Sequence, residues 1–390
     1  MRPLRLTPGL RSLPVCLSLR SLSSGPDQLV SASDHRAWTA EGAVRLRVTP
    51  SGPQSVKPMS VPTLLSQTVE KFHQKTALRT RTEEGDSLSW SYSQYLEEVR
   101  LVARAWISLG LLPHHTLSVL GHPHPRQHIA NMAAIHAGAF AGGMYQTNTA
   151  EACKYIAKDS RANIIVVGDT VQLEKILSIR SELPDLRAIV LFEGETNHPG
   201  VLTWKQVLQI GKDNSEGSLD ERLRNIAINQ CCVLSYTSGT TGNPKGTMMS
   251  HDNVVFTAVQ NTSFFKWSPG EESVLSYLPQ CHMAGVMMDQ FMVMAVGGEC
   301  CFADKNALKG TLLENIVHYK PSRFMGVTRI FEKIEEGIKS KGSDTKGLKK
   351  KIVDWAKAQA LHHHTQEESG KPHSSLGYTI AKKLIFNKVD

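Results

Sequence analysis

The run Ser235-Tyr236-Thr237-Ser238-Gly239-Thr240-Thr241-Gly242-Asn243-Pro244-Lys245-Gly246 packs hydroxyl side chains, glycines and one lysine into a single turn. That mixture suits phosphate. Glycines let the backbone bend through positive φ and bring N–H groups close to a ligand, hydroxyls donate to phosphate oxygens, and Lys245 adds a full positive charge at the exit. The flanks set the kind of loop. Cys231-Cys232-Val233-Leu234 reads as a short buried strand and Thr247-Met248-Met249 as a second one, so the loop joins strand to strand. A Walker loop has the spacing G-x-x-x-x-G-K-[ST] and opens directly into a helix, and neither feature fits. The helix comes later, with Ser250 as N-cap ahead of Asp252, Asn253 and an apolar stretch through Val254, Val255, Ala258 and Val259.

At these residues the chain resembles the adenylate-forming enzymes, whose hallmark is Y-T-S-G-T-T-G-x-P-K-G; every specified position is matched. A second block, Tyr277-Leu278-Pro279-Gln280-Cys281-His282-Met283-Ala284-Gly285 followed by Met287-Met288-Asp289, is similar to the Y-L-P-L-S-H-x-A segment of the fatty acyl-CoA synthetases, and more narrowly to the bubblegum-type long-chain members. Further matches are Trp38-Thr39, Ala141-Gly142-Gly143 through Tyr145 to Asn148, Glu151 to Tyr155, Ala162 to Val167, and Met325 to Arg329. Together they span nearly everything after the first few dozen residues.

The resemblance implies a two-step reaction with ATP, Mg²⁺ and CoA. A fatty acid carboxylate attacks the α-phosphate of ATP to give an acyl-adenylate and pyrophosphate, and the CoA thiolate then displaces AMP. It implies that Thr237, Ser238, Gly239, Thr240, Thr241, Gly242, Asn243, Pro244 and Lys245 grip the β- and γ-phosphates, with Lys245 offsetting charge on the leaving pyrophosphate. Thr240 or Thr241 is the hydroxyl that ligates Mg²⁺, Thr240 being taken as the candidate. The resemblance further implies that His282 sits beside the α-phosphate and the acyl carboxylate, as hydrogen-bond donor or gate. A histidine met alone is more often structural; its place in the block is what carries the role.

The sequence also departs from that pattern. Gly121-His122-Pro123-His124-Pro125-Arg126-Gln127-His128 stands where the family carries an asparagine followed by an acidic and an aromatic residue, and Gln280-Cys281 replaces a Leu-Ser pair. No segment matches Y-G-x-[ST]-E, T-G-D or P-K-T-x-G-K, the motifs that the resemblance assigns to adenine, ribose and the adenylation lysine. The expectation is an N-terminal fragment or truncated form, lacking the small C-terminal domain. Residues 1–58 would be an N-terminal extension and 59–390 a partial adenylation domain. Beside the ligase stands a second reading, a non-catalytic form that binds nucleotide or fatty acid and modulates a longer relative.

The elements that must position these groups alternate. A helix from Ser93 to Leu109 sets Tyr95, Val99, Val102, Trp106 and Leu109 on one face and stops at Gly110. Thr116 to Leu120 reads as strand, Ile129 to Phe140 as helix, Asn163 to Val167 as strand, Val171 to Ile179 as helix and Ala188 to Phe192 as strand. This predicts an α/β fold, parallel sheets with helices on both faces. Gly211 to Ser218 reads as a surface loop, Thr49 to Pro58 as a linker, and Lys339 to Lys351 as exposed.

Composition bounds the remaining classes. Hydrophobic residues make up 41% and charged residues 21% of the 390, as in soluble globular proteins, and the net charge of +8 suits anionic ligands, nucleic acid and acidic membranes equally. No basic patch interleaved with aromatics points to nucleic acid. The seven cysteines show no C-x-x-C spacing and sit in apolar surroundings, which predicts reduced, buried thiols. Neither His362-His363-His364 nor the His124/His128 pair has the acidic or cysteine partner that a metal site needs. Arg2, Arg5, Arg11 and Arg20 with no acid before Asp27 give the composition of a mitochondrial transit peptide, although Pro3, Pro8 and Pro14 weaken its helix. The alternative is a disordered extension on a cytoplasmic or peripheral protein of the endoplasmic reticulum. The longest apolar stretch, Met283 to Val296, is interrupted by Asp289 and Gln290 and reads as a buried helix rather than a membrane span. Lys346, Lys349, Lys350, Lys351 and Lys357 read as a solvated helix face, with contact to anionic lipid as the other reading.

Overall fold

The computed structural model describes residues 25–49, 51–52, 55–82, 85–237, 243–343, 347–370 and 375–388. The chain falls into two units, Met1–Phe324 and Met325–Asp390.

Short apolar strands alternate with amphipathic helices through the first unit. In chain order these are α1 (Val61–Phe72), β1 (Thr76–Arg81), β2 (Ser87–Ser91), α2 (Tyr92–Ser108), β3 (Thr116–Leu120), α3 (Pro125–His136), β4 (Phe140–Gly143), α4 (Ala150–Asp159), β5 (Ala162–Val167), α5 (Thr170–Leu177), β6 (Ala188–Leu191) and β7 (Val201–Thr203). Then come α6 (Trp204–Asp213), α7 (Gly217–Arg224), β8 (Cys231–Thr237), β9 (Lys245–Ser250), α8 (His251–Phe264), β10 (Ser273–Ser276), β11 (Glu299–Phe302) and α9 (Leu312–Tyr319). The larger sheet has the order β7-β6-β5-β3-β4-β8-β9, parallel except for β9, which returns antiparallel to β8. A smaller sheet has the order β10-β11-β1-β2. β3, β5 and β6 are buried along their whole lengths, as strands covered on both faces must be. The α/β architecture expected from the alternation is therefore present.

Several element ends differ from the sequence expectation. α3 starts at Pro125, not Ile129, because His124 acts as N-cap, its Nδ1 accepting the Arg126 N–H at 3.2 Å, and proline at the first turn needs no donor. It ends at His136, since Gly138 turns the chain at φ 73° and Phe140 enters β4. α2 starts at Tyr92, capped by Ser91 in a box with Gln94. The stretch read as a surface loop, Gly211 to Ser218, is instead the end of α6 and the start of α7. Gly211 is buried there because α2 comes so close that a Cβ would lie 2.2 Å from the Leu101 carbonyl oxygen.

Of residues 1–58, 1–24, Pro50, Pro53 and Gln54 lie outside the described residues. The described part is bonded into the first unit rather than standing apart from it. Asn229 Nδ2 donates to the carbonyls of Val30 and Val44 at 2.7 and 3.0 Å, and Asp27 Oδ1 accepts the Ser60 N–H at 2.7 Å.

Met283 to Val296 is helical and mostly buried as expected, but its middle, Val286–Met292, is wound as a π-helix between the short α turns Met283–Gly285 and Val293–Ala295. Asp289 and Gln290, which break the apolar run, are turned inward with exposures of 4% and 2%. Among the described residues no helix is long and apolar enough to cross a membrane.

Among its described residues the second unit has the α-helices α10 (Thr328–Ser343), α11 (Leu348–Glu368) and α12 (Leu376–Leu384), followed by a 3-10 turn, Phe386–Lys388. His363 of α11 stacks on Tyr378 of α12 at 4.0 Å. Lys339, Lys350, Lys351 and Lys357 are exposed, in line with the reading of this stretch as solvated.

Candidate functional site

β8 and β9 pair in the register Thr237↔Lys245, Tyr236↔Gly246 and Ser235↔Thr247. The glycine- and hydroxyl-rich loop thus connects strand to strand, and its two ends, Thr237 and Lys245, stand opposite each other and exposed. Asn243 and Pro244 lead into Lys245, while Ser238, Gly239, Thr240, Thr241 and Gly242 lie outside the described residues. The base of the loop is anchored. The buried Tyr236 donates its hydroxyl to Asp159 Oδ2 at 2.6 Å, at the end of α4. Burial and the Asp159 carboxylate hold that hydroxyl well above its ordinary pKa, so it stays a donor. Opposite it, Gly246 leaves room for the ring, since a Cβ there would lie 3.2 Å from Tyr236 Cζ. Ser250 caps α8 in a box with Asn253, as the sequence predicts.

β8 is tied to the second block through Ser235, whose Oγ donates to the Cys281 carbonyl at 3.3 Å. On the other side β4 presses close, a Cβ on Gly143 falling 2.8 Å from Cys281 Cβ. The next residue, His282, is the exposed N-cap of the helical run. Its own N–H donates to the Pro279 carbonyl at 3.0 Å, and its Nδ1 accepts the Ala284 N–H at 3.1 Å. With Nδ1 accepting, the neutral ring carries its proton on Nε2, which leaves that N–H as the donor available to a ligand. Lys245 and His282 are therefore carried by adjoining elements.

Beneath this turn lies a buried polar network that the sequence had not assembled. Gln280, 3% exposed, donates from Nε2 to Asp289 Oδ2 at 2.8 Å and to Ser276 Oγ at 3.0 Å, while its Oε1 faces His128 Nε2 at 3.1 Å. Gln290 Nε2 donates to the His128 carbonyl at 3.3 Å. Burial pushes the Asp289 carboxyl up to about 7, against the opposing pull of the Ser276 and Gln280 hydrogen bonds. It pushes His128 down to about 4, so the ring is neutral and donates through Nε2. The available signal was that His128 and Gln280 both lie in stretches departing from the family pattern; their proximity was not readable.

His124 and His128 do not converge, one capping α3 and the other bonding Gln280. Among the described residues no group of three or more His, Cys, Asp or Glu could hold a metal ion. With Thr240 outside those residues, they give no donor set that fits Mg²⁺. The six described cysteines, Cys153, Cys231, Cys232, Cys281, Cys300 and Cys301, are free and buried.

The profile of the AMP-binding enzyme family matches residues 65–371. The Long-chain-fatty-acid--CoA ligase ACSBG2 of Xenopus laevis is 40% identical over 365 residues, covering 92% of this chain and 49% of its own length. ACSBG2 of Homo sapiens is 36% identical, covering 91% and 54%, and ACSBG1 of Rattus norvegicus 37% identical, covering 92% and 50%. The chain spans about half the length of the curated relatives it matches. Among solved structures, the anthranilate CoA ligase AuaEII in complex with anthranoyl-AMP superposes with a TM-score of 0.59 at 22% identity, over 70% of this chain and 51% of its own. A putative long-chain-fatty-acid CoA ligase from Rhodopseudomonas palustris does so with a TM-score of 0.60 at 14% identity, over 72% and 66%. At those identities the likeness is one of fold.

Proposed function

The chain belongs to the AMP-binding enzyme family, and from that premise we propose that it serves the ATP-dependent activation of long-chain fatty acids to acyl-CoA, the activity for which its curated relatives are named. The fatty acid carboxylate attacks the α-phosphate of ATP, the bond to the β-phosphate bridging oxygen breaks, and pyrophosphate leaves. The CoA thiolate then attacks the acyl carbonyl and AMP departs. Both partners in the first step are anionic, so the site's work is to hold them in line and to neutralise charge.

In this reading the loop from Thr237 to Lys245 holds the β- and γ-phosphates, and Lys245 offsets the charge that grows on the leaving pyrophosphate. His282 donates from Nε2 to an α-phosphate or carboxylate oxygen, its ring held in that tautomer by the Ala284 N–H. No step is assigned to Mg²⁺. The observation that carries the reading is the Ser235–Cys281 hydrogen bond, which joins the strand feeding the phosphate loop to the turn bearing His282. A second reading keeps the binding steps alone, with nucleotide or fatty acid held and no thioester made.

The test is palmitoyl-CoA formation from ATP, Mg²⁺, CoA and palmitate, by the 390-residue chain and by the same chain fused to the C-terminal half of the Xenopus relative. The fusion should form the thioester, and His282→Ala within it should lower the rate by about 10²-fold. Product from the fusion only would favour the binding reading for the chain by itself. A folded fusion that makes no adenylate and no thioester would contradict the proposal.

A further inference from the structure

The strand order β5-β3-β4 reverses direction at β3, because the chain leaves β3 for β4 on one side and later returns to lay β5 on the other. In open α/β sheets the crevice beyond the carboxyl ends of the strands at such a point is where ligands bind. Here the two glycines that follow those strands nearly touch, a Cβ on Gly121 falling 3.1 Å from Gly168 Cα. Past them opens a cavity of about 470 Å³, well within the size of ligand pockets. It is lined from the ends of β1, β3, β6 and β11 and by α9, and none of Thr237, Asn243, Pro244 and Lys245, the described residues at the two ends of the loop between β8 and β9, lines it.

The polar groups in this cavity are unequally spent. The described carboxylates that line it are already engaged: Asp304 accepts from Thr311 Oγ1 and the Asn306 N–H at 2.8 Å and from Asn315 Nδ2, and Glu193 lies 3.3 Å from His122 Nε2. The hydrogen bond from His122 holds Glu193 below the usual carboxylate range, so it remains an acceptor already in use. Three side chains keep a donor unused among the described residues, Arg81, Tyr319 and His124. The exposed Arg81 makes no hydrogen bond or ion pair among the described residues, and the Tyr319 hydroxyl is buried without a partner. His124 uses Nδ1 to accept the Arg126 N–H, which puts its proton on Nε2. Phe302 supplies an apolar wall.

We propose that this cavity is a second ligand site, separate from the nucleotide loop, which takes a small organic anion, a carboxylate or phosphate monoester, through Arg81, His124 and Tyr319, with the apolar body of the ligand against Phe302. An orphaned buried hydroxyl beside a guanidinium is the arrangement an anionic oxygen completes. Among the described residues a cation finds no free carboxylate there, since Asp304 and Glu193 are occupied by the protein's own donors.

The test titrates the full 390-residue chain at low salt with benzoate and, separately, phenyl phosphate, by saturation-transfer NMR and calorimetry. At least one should bind saturably, and the tighter one identifies the charged head. Arg81→Gln should weaken binding by about tenfold or more, the loss of one charge-assisted contact, with an unchanged melting midpoint because Arg81 is exposed. Tyr319→Phe, a second variant that keeps the ring packing, should weaken it as well. Lys245→Ala and saturating ATP should leave it unaltered. No saturable binding of either probe would overturn the proposal. So would displacement by ATP or loss in Lys245→Ala, which would move the anion to the nucleotide loop.

Discussion

His128 and Gln280, 152 positions apart in the chain, are hydrogen-bonded at 3.1 Å in the interior beneath the His282 turn. Each lies in a stretch that departs from the pattern of the acyl-CoA synthetases, in which a leucine stands where this chain has Gln280. The two departures meet in the structure, where the buried Gln280 Oε1 has His128 Nε2 as its partner.

Gln280→Leu should destabilise the protein by about 1–3 kcal/mol, as Ser276 and Asp289 lose a donor and His128 its acceptor. His128→Phe should cost a similar amount by orphaning Gln280 Oε1. The double variant should be less damaged than the sum, with a coupling of about 0.5–3 kcal/mol in urea unfolding. Additive losses would show that the two side chains do not act as a pair.

Asp289 makes stability depend on pH in an unusual direction for a carboxylate. Its folded pKa of about 7 lies above the ordinary 3.8, so the folded state binds the extra proton and the advantage, complete below about 3.8, is lost as pH rises to about 7. Buried His124, His128, His136 and His251 act oppositely: their pKa values are pushed down to about 3 or 4, and stability falls as pH drops below 6.5. Subtracting the urea stability of Asp289→Asn from that of the unmodified protein isolates the first effect. The difference should decline from pH 4 to 7 and level off above; a flat difference would refute the assignment.

Gly143→Ala places a Cβ 2.8 Å from Cys281 Cβ and 3.0 Å from Cys281 Cα, where backbone must move. The overpacking should cost about 1–3 kcal/mol, read as a lowered melting midpoint. It should also shift the imidazole NMR signals of the adjacent His282. An unmoved His282 signature in a destabilised variant would show that the turn is not held from β4.

The six described cysteines should resist alkylation in the native protein. Burial pushes Cys153 up to about 11 and Cys231, Cys281 and Cys301 up to about 12, with Cys232 and Cys300 well above the ordinary value. Little thiolate then exists at neutral pH. Iodoacetamide followed by peptide mapping should find these positions unmodified until denaturant is added, whereas rapid native labelling at any of them would contradict their burial.

What could be read from the sequence was whatever local spacing encodes. The hairpin flanking the phosphate loop, the Ser250 cap and the strands from Thr116, Asn163 and Ala188 all follow from short-range pattern and appear as expected. The start of α3 was missed because its cap is a histidine, not one of the usual Ser, Thr, Asp or Asn. Gly211 was misread because its reason, the close approach of α2, is tertiary. Asp289 and Gln290 were visible as interruptions of an apolar run, but their partners lie on β10, α3 and the turn before His282, which no local spacing specifies.

In the proposed reaction Lys245, opposite Thr237 at the mouth of the hairpin, grips the triphosphate. Calorimetric titration of ATP into the 390-residue chain and its Lys245→Ala variant tests it directly. ATP should bind, and the variant should weaken that binding by about 1.5 to 3 kcal/mol, the value of a hydrogen bond to a charged group, or roughly ten- to more than a hundredfold in Kd. Equal affinity for ATP in the two proteins would contradict it.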